Sequence, residues 1–283
     1  YRRTQLLKLQ DAVIDLEEVL EVDALAKRYL SGRGLLFERR IGDGRALDGH
    51  GDLLADDIFL LDDGPRVLDC IEFDDGLRLG DALADVAFLA MDLERLGRPD
   101  LAARFLAAYR EHADDTWPAS LAHHHIAYRA QVRAKVGTIR AGQGDATAVP
   151  ETRALLGLAR GHLEAGAVRL VLIGGLPGTG KSTLAAGLAD ALGATVLRSD
   201  EVRKELDGLR PDQPAPAEFG EGHYHPAATA ATYGEMLRRA EVALGLGEVV
   251  VLDASWTGER WRAEARDVAT RTHADIVELR CSA

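Results

Sequence analysis

A glycine-rich loop between an apolar run and a helical segment constrains the fold of this chain more than any other feature. Residues 175–183 read Gly-Leu-Pro-Gly-Thr-Gly-Lys-Ser-Thr, which matches the pattern G-x-x-x-x-G-K-[ST] in full. The apolar residues 168–173 before it predict a buried strand, and residues 181–192 after it predict a helix. A strand, this loop and a helix in that order predict a parallel α/β domain with a phosphate-binding loop.

Each residue type in this loop suits a polyphosphate anion. Glycines let the backbone amides point at a phosphate, and the following helix adds the positive end of its dipole. Lys181 is predicted to neutralise the outer phosphates, and the Ser182 hydroxyl is predicted to bind Mg²⁺. We therefore predict ATP and Mg²⁺ as cofactors, bound by Gly175, Gly178, Thr179, Gly180, Lys181, Ser182 and Thr183.

Strands and helices alternate through the rest of this half of the chain. The predicted strands cover residues 168–173, 195–197, 249–252 and 275–279, and the predicted helices cover residues 181–192, 228–244 and 260–271. This alternation indicates a parallel sheet with helices on both faces.

Two carboxylates follow predicted strands in this half. Asp253 ends the apolar strand 249–252 and is predicted to hold Mg²⁺ together with Ser182; the alternative is a cap on the next helix. Asp200 follows the strand 195–197 and is predicted to orient or deprotonate an acceptor hydroxyl, with Arg203 binding an anionic group. The alternative there is a helix cap followed by a surface arginine.

A second motif lies in the first half, where His50, Gly51 and Asp52 precede further carboxylates at Asp57 and Glu72. Asp52 is a candidate catalytic base, and Asp57 and Glu72 are candidate metal ligands for a phosphoryl transfer. Solvated loop carboxylates are the alternative interpretation. Between these residues, the sequence predicts a strand at 58–61, a turn at 62–65 and a second strand at 67–73.

Helical periodicity dominates the remainder of the first half. It extends over about residues 3–30 and continues in stripes with Leu83, Leu101 and Leu121 near their starts. The run His123-His124-His125 lies in the third stripe, where consecutive side chains point about 100° apart and cannot converge on one metal ion. His125 is predicted to be packed, and His123 and His124 to lie at the surface.

The second half resembles the P-loop kinase-like family that includes polynucleotide-kinase-like and zeta-toxin-like phosphotransferases. The resemblance rests on the glycine-rich loop, on Arg198-Ser199-Asp200 with Arg203, and on the residues 251–255. It implies that the loop holds ATP and that Asp200 contacts the acceptor.

The first half resembles the large lobe of the aminoglycoside-phosphotransferase-like branch of the protein-kinase fold. That family reads H-G-D-x-x-x-x-N, then I-D-[WF], then G-D-x-x-x-D. Here Asp57 stands for the Asn, Glu72 (or Asp69 in another register) stands for the metal-binding Asp, and Asp81 and Asp85 complete the last motif. The combined order resembles the bacterial bifunctional aminoglycoside phosphotransferase/ATP-binding proteins. It implies that the chain is an internal fragment, without the small lobe and truncated within the P-loop domain.

Together these patterns predict two domains in 283 residues. A mainly α protein-kinase-like large lobe is expected over residues 1–145, a linker and helix over 146–166, and an α/β P-loop NTPase with a parallel sheet over 167–283. The predicted function is an ATP- and Mg²⁺-dependent phosphotransferase acting on a small hydroxylated or nucleotide acceptor. The alternative is a nucleotide-binding ATPase or regulatory module, in which the first lobe is a scaffold or sensor.

Net charge, apolar runs and cysteine content limit the kinds of partner and location that we expect for this protein. The formal net charge of −12 argues against nucleic-acid backbone as the main partner. No apolar run approaches the roughly 18 residues of a membrane helix. The two cysteines, Cys70 and Cys281, are far apart in sequence, so neither a disulfide framework nor a cysteine zinc site is indicated, and a cytoplasmic location is expected.

Overall fold

The computed structural model describes residues 14–209 and 226–282. Its contacts divide the chain into two compact units. Of the described residues, a helical unit contains 14–30 and 36–166, and an α/β unit contains 31–35, 167–209 and 226–282. Within the described residues, no helix combines the length and the apolar character that a membrane crossing needs.

The helical unit is built around long helices with apolar stripes. Its helices are α1 (Leu16–Ser31), α2 (Gly34–Gly42), α3 (Ala82–Arg95), α4 (Pro99–His112), α5 (Ala119–Gly142) and α6 (Ala148–Ala165). Phe88 and Met91 of α3, Ile126 of α5 and Leu156 of α6 are buried in one apolar core, as the stripes predict. Alanines such as Ala130 share this core, so the helices approach one another closely.

The segment between α2 and α3 forms two small antiparallel sheets. Strands β1 (Ala46–Asp48) and β4 (Leu79–Asp81) form one, and β2 (Ile58–Leu61) and β3 (Gly64–Val67) form a hairpin. The predicted second strand at 67–73 is wrong in its position, because Leu61 already pairs with Gly64. The turn is therefore two residues shorter than predicted, and Pro65 is tolerated in a two-stranded sheet, where its missing N–H disrupts no central ladder.

Arg40 joins three parts of the helical unit. Its guanidinium, only 5% exposed, donates bidentate hydrogen bonds of 2.7 and 2.8 Å to Asp81, which precedes α3. It also donates to Asp115 in the loop after α4, at 2.5 and 3.0 Å. Asp81 in turn accepts from the Leu83 amide and caps α3. This buried network fixes α2 against the start of α3 and the α4–α5 loop.

The structure corrects part of the prediction for His123, His124 and His125. His125 is packed as predicted, but His124 is also buried, with 7% of its surface exposed. Its ring stacks on Tyr29 of α1 with centroids 4.5 Å apart. His123 is partly buried and contacts His162 of α6 through their Nδ1 atoms at 2.8 Å. Three helices surround this end of α5, which is why sequence periodicity alone misplaced His124.

The α/β unit contains a four-stranded parallel sheet. The strands are β5 (Arg169–Gly175), β6 (Thr195–Arg198), β7 (Val250–Asp253) and β8 (Asp275–Cys281), in the spatial order β6-β7-β5-β8. The helices are α7 (Lys181–Leu192), α8 (Ser199–Leu206), α9 (Pro226–Gly245) and α10 (Glu259–Arg271). Central strands β5 and β7 are mainly apolar and buried, as expected for a parallel sheet covered on both faces. The predicted parallel α/β architecture is confirmed.

Residues 31–35 pack within the α/β unit, which the sequence did not predict. Arg33 is 1% exposed and donates hydrogen bonds to the carbonyl oxygens of Leu244 and Thr272, the second at 2.9 Å. These carbonyls lie at the C-terminal ends of α9 and α10, where backbone acceptors are unsatisfied and a cation is favourable. A Cβ on Gly32 would lie 2.2 Å from the Thr272 oxygen, so only glycine fits there.

Candidate functional site

The glycine-rich loop connects the end of β5 with the start of α7. Gly175, Gly178 and Gly180 have φ angles of +145°, +81° and +84°, which side-chain-bearing residues rarely adopt. A Cβ on Gly175 would also lie 2.6 Å from the carbonyl oxygen of Cys281 in β8. Glycine is thus required at Gly175 by both conformation and space, whereas a Cβ on Gly178 or Gly180 would meet no atom within 4 Å. The loop is narrow at its start and open towards α7.

Lys181 is the first residue of α7. Its ammonium group turns back along the loop and donates to the carbonyl oxygen of Leu176 at 2.8 Å. The Thr179 hydroxyl donates to the same oxygen at 2.8 Å, while Thr183 is exposed in the first helical turn. The loop therefore presents a cation and the N-terminal end of a helix on one side, an arrangement that favours an anion.

The side chains of Ser182 and Asp253 are hydrogen-bonded to each other. The Ser182 hydroxyl donates to Oδ2 of Asp253 at 2.7 Å, and Asp253 is 5% exposed at the end of β7. The alternative role of Asp253 as a helix cap does not apply, since Gly258 precedes α10 at the N-cap position. A hydroxyl and a carboxylate are both oxygen donors, which is the ligand type that Mg²⁺ takes. The pair therefore fits a magnesium ion.

Asp200 and Arg203 lie on α8, directly after β6. Asp200 has 81% of its side chain exposed, and Arg203 lies 3.5 Å from it with only 13% exposed. Arg198 is the N-cap of α8 and makes no side-chain cap, so neither Ser199 nor Asp200 serves as the cap. Asp200 is therefore open to solvent at the carboxyl end of a strand, where open α/β sheets bind their ligands.

Arg198 connects this strand end electrostatically with the serine–aspartate pair. It lies opposite Asp253 in the pairing of β6 with β7. A hydrogen bond to Glu201 raises the pKa of Arg198, and the charge of Asp253 raises it further. The candidate residues thus lie at the carboxyl ends of three neighbouring strands. Lys181 and Ser182 follow β5 and its loop, Asp253 ends β7, and Asp200 follows β6.

The His-Gly-Asp segment of the helical unit is held by partly buried side chains. Asp85 of α3 accepts from the backbone amides of His50 and Gly51 at 2.6 and 2.8 Å. Arg129 of α5 donates to the Gly51 carbonyl at 3.1 Å. Gly51 has a φ of +85°, and a Cβ there would lie 2.9 Å from Ile71. The segment therefore has one defined backbone conformation.

Asp52 follows in this segment with 39% of its side chain exposed and lies 4.0 Å from Arg133. Burial raises the pKa of Asp52; the charge of Arg133 opposes this, and the charge of Asp57 adds to it. Asp57 also accepts from the Leu54 amide at 3.2 Å. The structure thus brings Asp52, Asp57 and Arg133 near one another, while Glu72 is exposed.

Metal coordination in the helical unit stays a prediction. Asp69, the alternative to Glu72, is exposed and has a φ of +65°. Within residues 14–209 and 226–282, no three His, Cys, Asp or Glu side chains are grouped so as to hold a metal ion. Asp52 does line a cavity of about 1200 Å³, whose other lining residues include Leu47, Phe73, Phe105, Arg133 and Ile139.

Comparison with known families assigns the α/β unit to a class. Residues 170–283 match the family described as AAA domain. With the parallel sheet and the loop geometry, this match identifies the unit as a P-loop kinase-like domain. The match does not extend to the helical unit, whose resemblance to a kinase large lobe stays a proposal.

Two mycobacterial relatives are similar to nearly the whole of this chain. An uncharacterized protein of Mycobacterium tuberculosis (strain ATCC 25618 / H37Rv) is 48% identical over 273 residues, which are 96% of this chain and 55% of that protein. An uncharacterized protein of Mycobacterium bovis is similar to the same extent. The chain thus spans about half the length of these curated relatives.

Among solved structures, an APS kinase of Mycobacterium tuberculosis is similar to part of this chain, with 26% sequence identity and a TM-score of 0.32. The matched region is 41% of this chain and 76% of the APS kinase chain.

Proposed function

We propose that this protein is an ATP- and Mg²⁺-dependent phosphotransferase whose active site lies in the P-loop kinase-like domain. The observation that carries the proposal is the 2.7 Å contact between Ser182 and Asp253 beneath the glycine-rich loop. It joins the first turn of α7 to the end of the neighbouring strand β7, and Lys181 directly precedes Ser182 in that turn.

Binding of the nucleotide is assigned to the loop. Lys181 exchanges the Leu176 carbonyl for the outer phosphates, and the amides of Gly178, Thr179 and Gly180 donate to phosphate oxygens. Ser182 and Asp253 would hold Mg²⁺, which when bound would neutralise the charge that develops on the phosphates.

The acceptor is assigned to the region of Asp200 and Arg203. The Asp200 carboxylate takes the proton of an acceptor hydroxyl, and the hydroxyl oxygen bonds to the γ-phosphorus of ATP. The bond from that phosphorus to the bridging oxygen breaks, and ADP leaves. Arg203 binds an anionic part of the acceptor, which is a small hydroxylated molecule or a nucleotide. Exposure of 81% leaves Asp200 accessible to such a molecule.

For the helical unit, the resemblance to an aminoglycoside-phosphotransferase-like large lobe supports two candidate roles. Asp52 is positioned as a base by the hydrogen bonds that Asp85 and Arg129 make to the backbone before it. The role of scaffold or sensor is favoured by Asp57, whose carboxylate is engaged by the Leu54 amide, and by the exposed Glu72. The order of the two units supports membership of the bifunctional aminoglycoside phosphotransferase/ATP-binding family.

Calorimetric titration of ATP with Mg²⁺ tests the nucleotide site. We expect one site in the wild-type chain, no binding by Lys181→Ala, and unchanged binding by Asp52→Ala. Lys204→Ala on α8 is the matched control, because it removes a lysine from the same unit outside the loop. Binding that survives Lys181→Ala and is lost with Asp52→Ala would move the nucleotide site to the helical unit and overturn the assignment.

A further inference from the structure

The segment after β7 contacts both ends of the glycine-rich loop. At the far end of the loop, Asp253 accepts from the Ser182 hydroxyl at 2.7 Å. At the near end, the Ser255 carbonyl accepts from the amide of Gly175 at 3.2 Å. The two points that hold the loop therefore lie within three consecutive residues, 253–255, and a shift of this short segment moves both together.

Tyr233 of α9 holds this segment through its hydroxyl. The Trp256 amide donates to the Tyr233 oxygen at 3.3 Å, and Ser255 Oγ lies 3.1 Å from the same oxygen. Because the amide has only a donor to offer, the tyrosine hydrogen is available for Ser255 Oγ. Tyr233 is 4% exposed, so neither contact is replaced readily by water.

The backbone of Trp256 needs this support. Trp256 has a φ of +50°, a conformation that is strained for a residue with a large side chain. Its indole donates to the Leu252 carbonyl at 3.2 Å and packs at an edge against the Tyr233 ring, with centroids 5.1 Å apart. Arg262 donates to its carbonyl oxygen. These contacts of the Trp256 backbone and indole stabilise the turn, and the turn directs the Ser255 carbonyl at the Gly175 amide.

We propose that Tyr233 is a positioning residue for the nucleotide loop. Its hydroxyl fixes the turn at residues 255–256, the turn fixes the amide of Gly175, and the loop is thereby held ready for phosphate before ATP arrives. The inference rests on the proposed nucleotide site for its consequence, a higher affinity for ATP. The other part of the inference, that Tyr233 restricts motion of the loop in the ligand-free protein, does not depend on nucleotide binding.

Tyr233→Phe tests the inference, because it removes the hydroxyl and keeps the ring that stacks on Trp261 at 5.1 Å. Amide hydrogen exchange in the ligand-free protein is expected to be faster in the peptide 169–183 and unchanged in β6, β8 and the helical unit. Affinity for ATP with Mg²⁺ is expected to fall about fivefold, the effect of one lost hydrogen bond. Ser255→Ala is expected to act in the same direction.

Tyr29→Phe is the matched control, since Tyr29 is also buried and its hydroxyl lies 3.2 Å from Ser120 Oγ in the helical unit. It should leave the exchange of 169–183 and the affinity for ATP unchanged. Unchanged exchange of 169–183 in Tyr233→Phe overturns the inference, as does faster exchange throughout the α/β unit, which indicates a general structural role. If the wild type binds no nucleotide, the proposed function fails, and the exchange data still decide the role of Tyr233.

Discussion

The hydroxyl of Ser182 and the carboxylate of Asp253 are 71 residues apart in sequence and 2.7 Å apart in space. Parallel pairing of β5 with β7 creates this proximity, because it places Asp253 opposite Ile173, just before the loop that leads to Ser182. Asp253 ends β7 and Ser182 follows the loop after β5, so both lie beside the carboxyl ends of adjacent parallel strands, where α/β domains bind ligands.

Removal of the Asp253 charge is expected to weaken nucleotide binding only when Mg²⁺ is present. For Asp253→Asn, we expect an affinity for MgATP that is about 10- to 100-fold lower, the range seen when partners of a metal site are removed. Affinity for ATP in excess chelator should change little. Titration calorimetry with and without Mg²⁺ measures both values. Asp267→Asn makes the same change on the exposed side of α10 and should have no effect; equal magnesium dependence in Asp253→Asn and wild type would contradict the assigned pair.

Asp200 is expected to act in transfer and not in ATP binding. Asp200→Ala should lower the rate of ADP formation with a hydroxylated acceptor about 10²- to 10⁴-fold, the usual contribution of a general base. ATP affinity should stay within error of the wild type, because the carboxylate lies on α8 and outside the loop. The assay measures ADP release against pools of nucleosides, nucleotides and amino sugars. Asp207→Ala at the end of the same helix is the control. Normal transfer by Asp200→Ala would show that the base is another group.

Arg40 is expected to stabilise the helical unit far more than its neighbour Arg39 does. Arg40→Met removes the bidentate partner of the partly buried Asp81 and leaves the buried Asp115 with Arg45 alone, at 3.4 Å, which is expected to cost about 3 kcal/mol of unfolding free energy. Arg39 is 60% exposed and lies 3.6 Å from Asp43, so Arg39→Met should cost less than about 1 kcal/mol. Urea denaturation followed by circular dichroism gives both values. Similar losses in the two variants would show that the buried network is not a major source of stability.

The buried histidines predict a loss of stability in mild acid. Burial lowers the pKa of His124 to about 3, and the charge of His125 adds to the effect, whereas an unfolded chain titrates near 6.5. The unfolded state therefore binds more protons between these values, and unfolding free energy falls as the pH is lowered through this window. From pH 7.5 to pH 5, His124 alone should cost about 1–2 kcal/mol.

His124→Phe keeps a ring beside Tyr29 and removes the titration, so the difference in stability between pH 7.5 and pH 5 should shrink. His112→Phe changes an exposed histidine and should leave the difference as in the wild type. Chemical denaturation at the two pH values measures it. An unchanged pH dependence in His124→Phe would mean that His124 does not titrate across the unfolding transition.

Local patterns in the sequence determined the α/β architecture and the loop. Apolar runs of strand length, helical stripes and the glycines at 175, 178 and 180 each act over a few residues, so their structural consequences are visible without tertiary information. The order of strands and helices then limits the topology to a parallel sheet. The same reasoning located the candidate residues Lys181, Ser182 and Asp253, because the chemistry of phosphate and magnesium restricts the residue types.

Tertiary structure decided the features that depend on distant parts of the chain. The burial of His124 depends on Tyr29 of another helix, and the position of Arg33 depends on the ends of α9 and α10, some 200 residues away in sequence. Tyr233 acquires its role only because α9 packs against the turn after β7. No periodicity marks such residues, since their roles come from hydrogen bonds between elements and not from the pattern within one element.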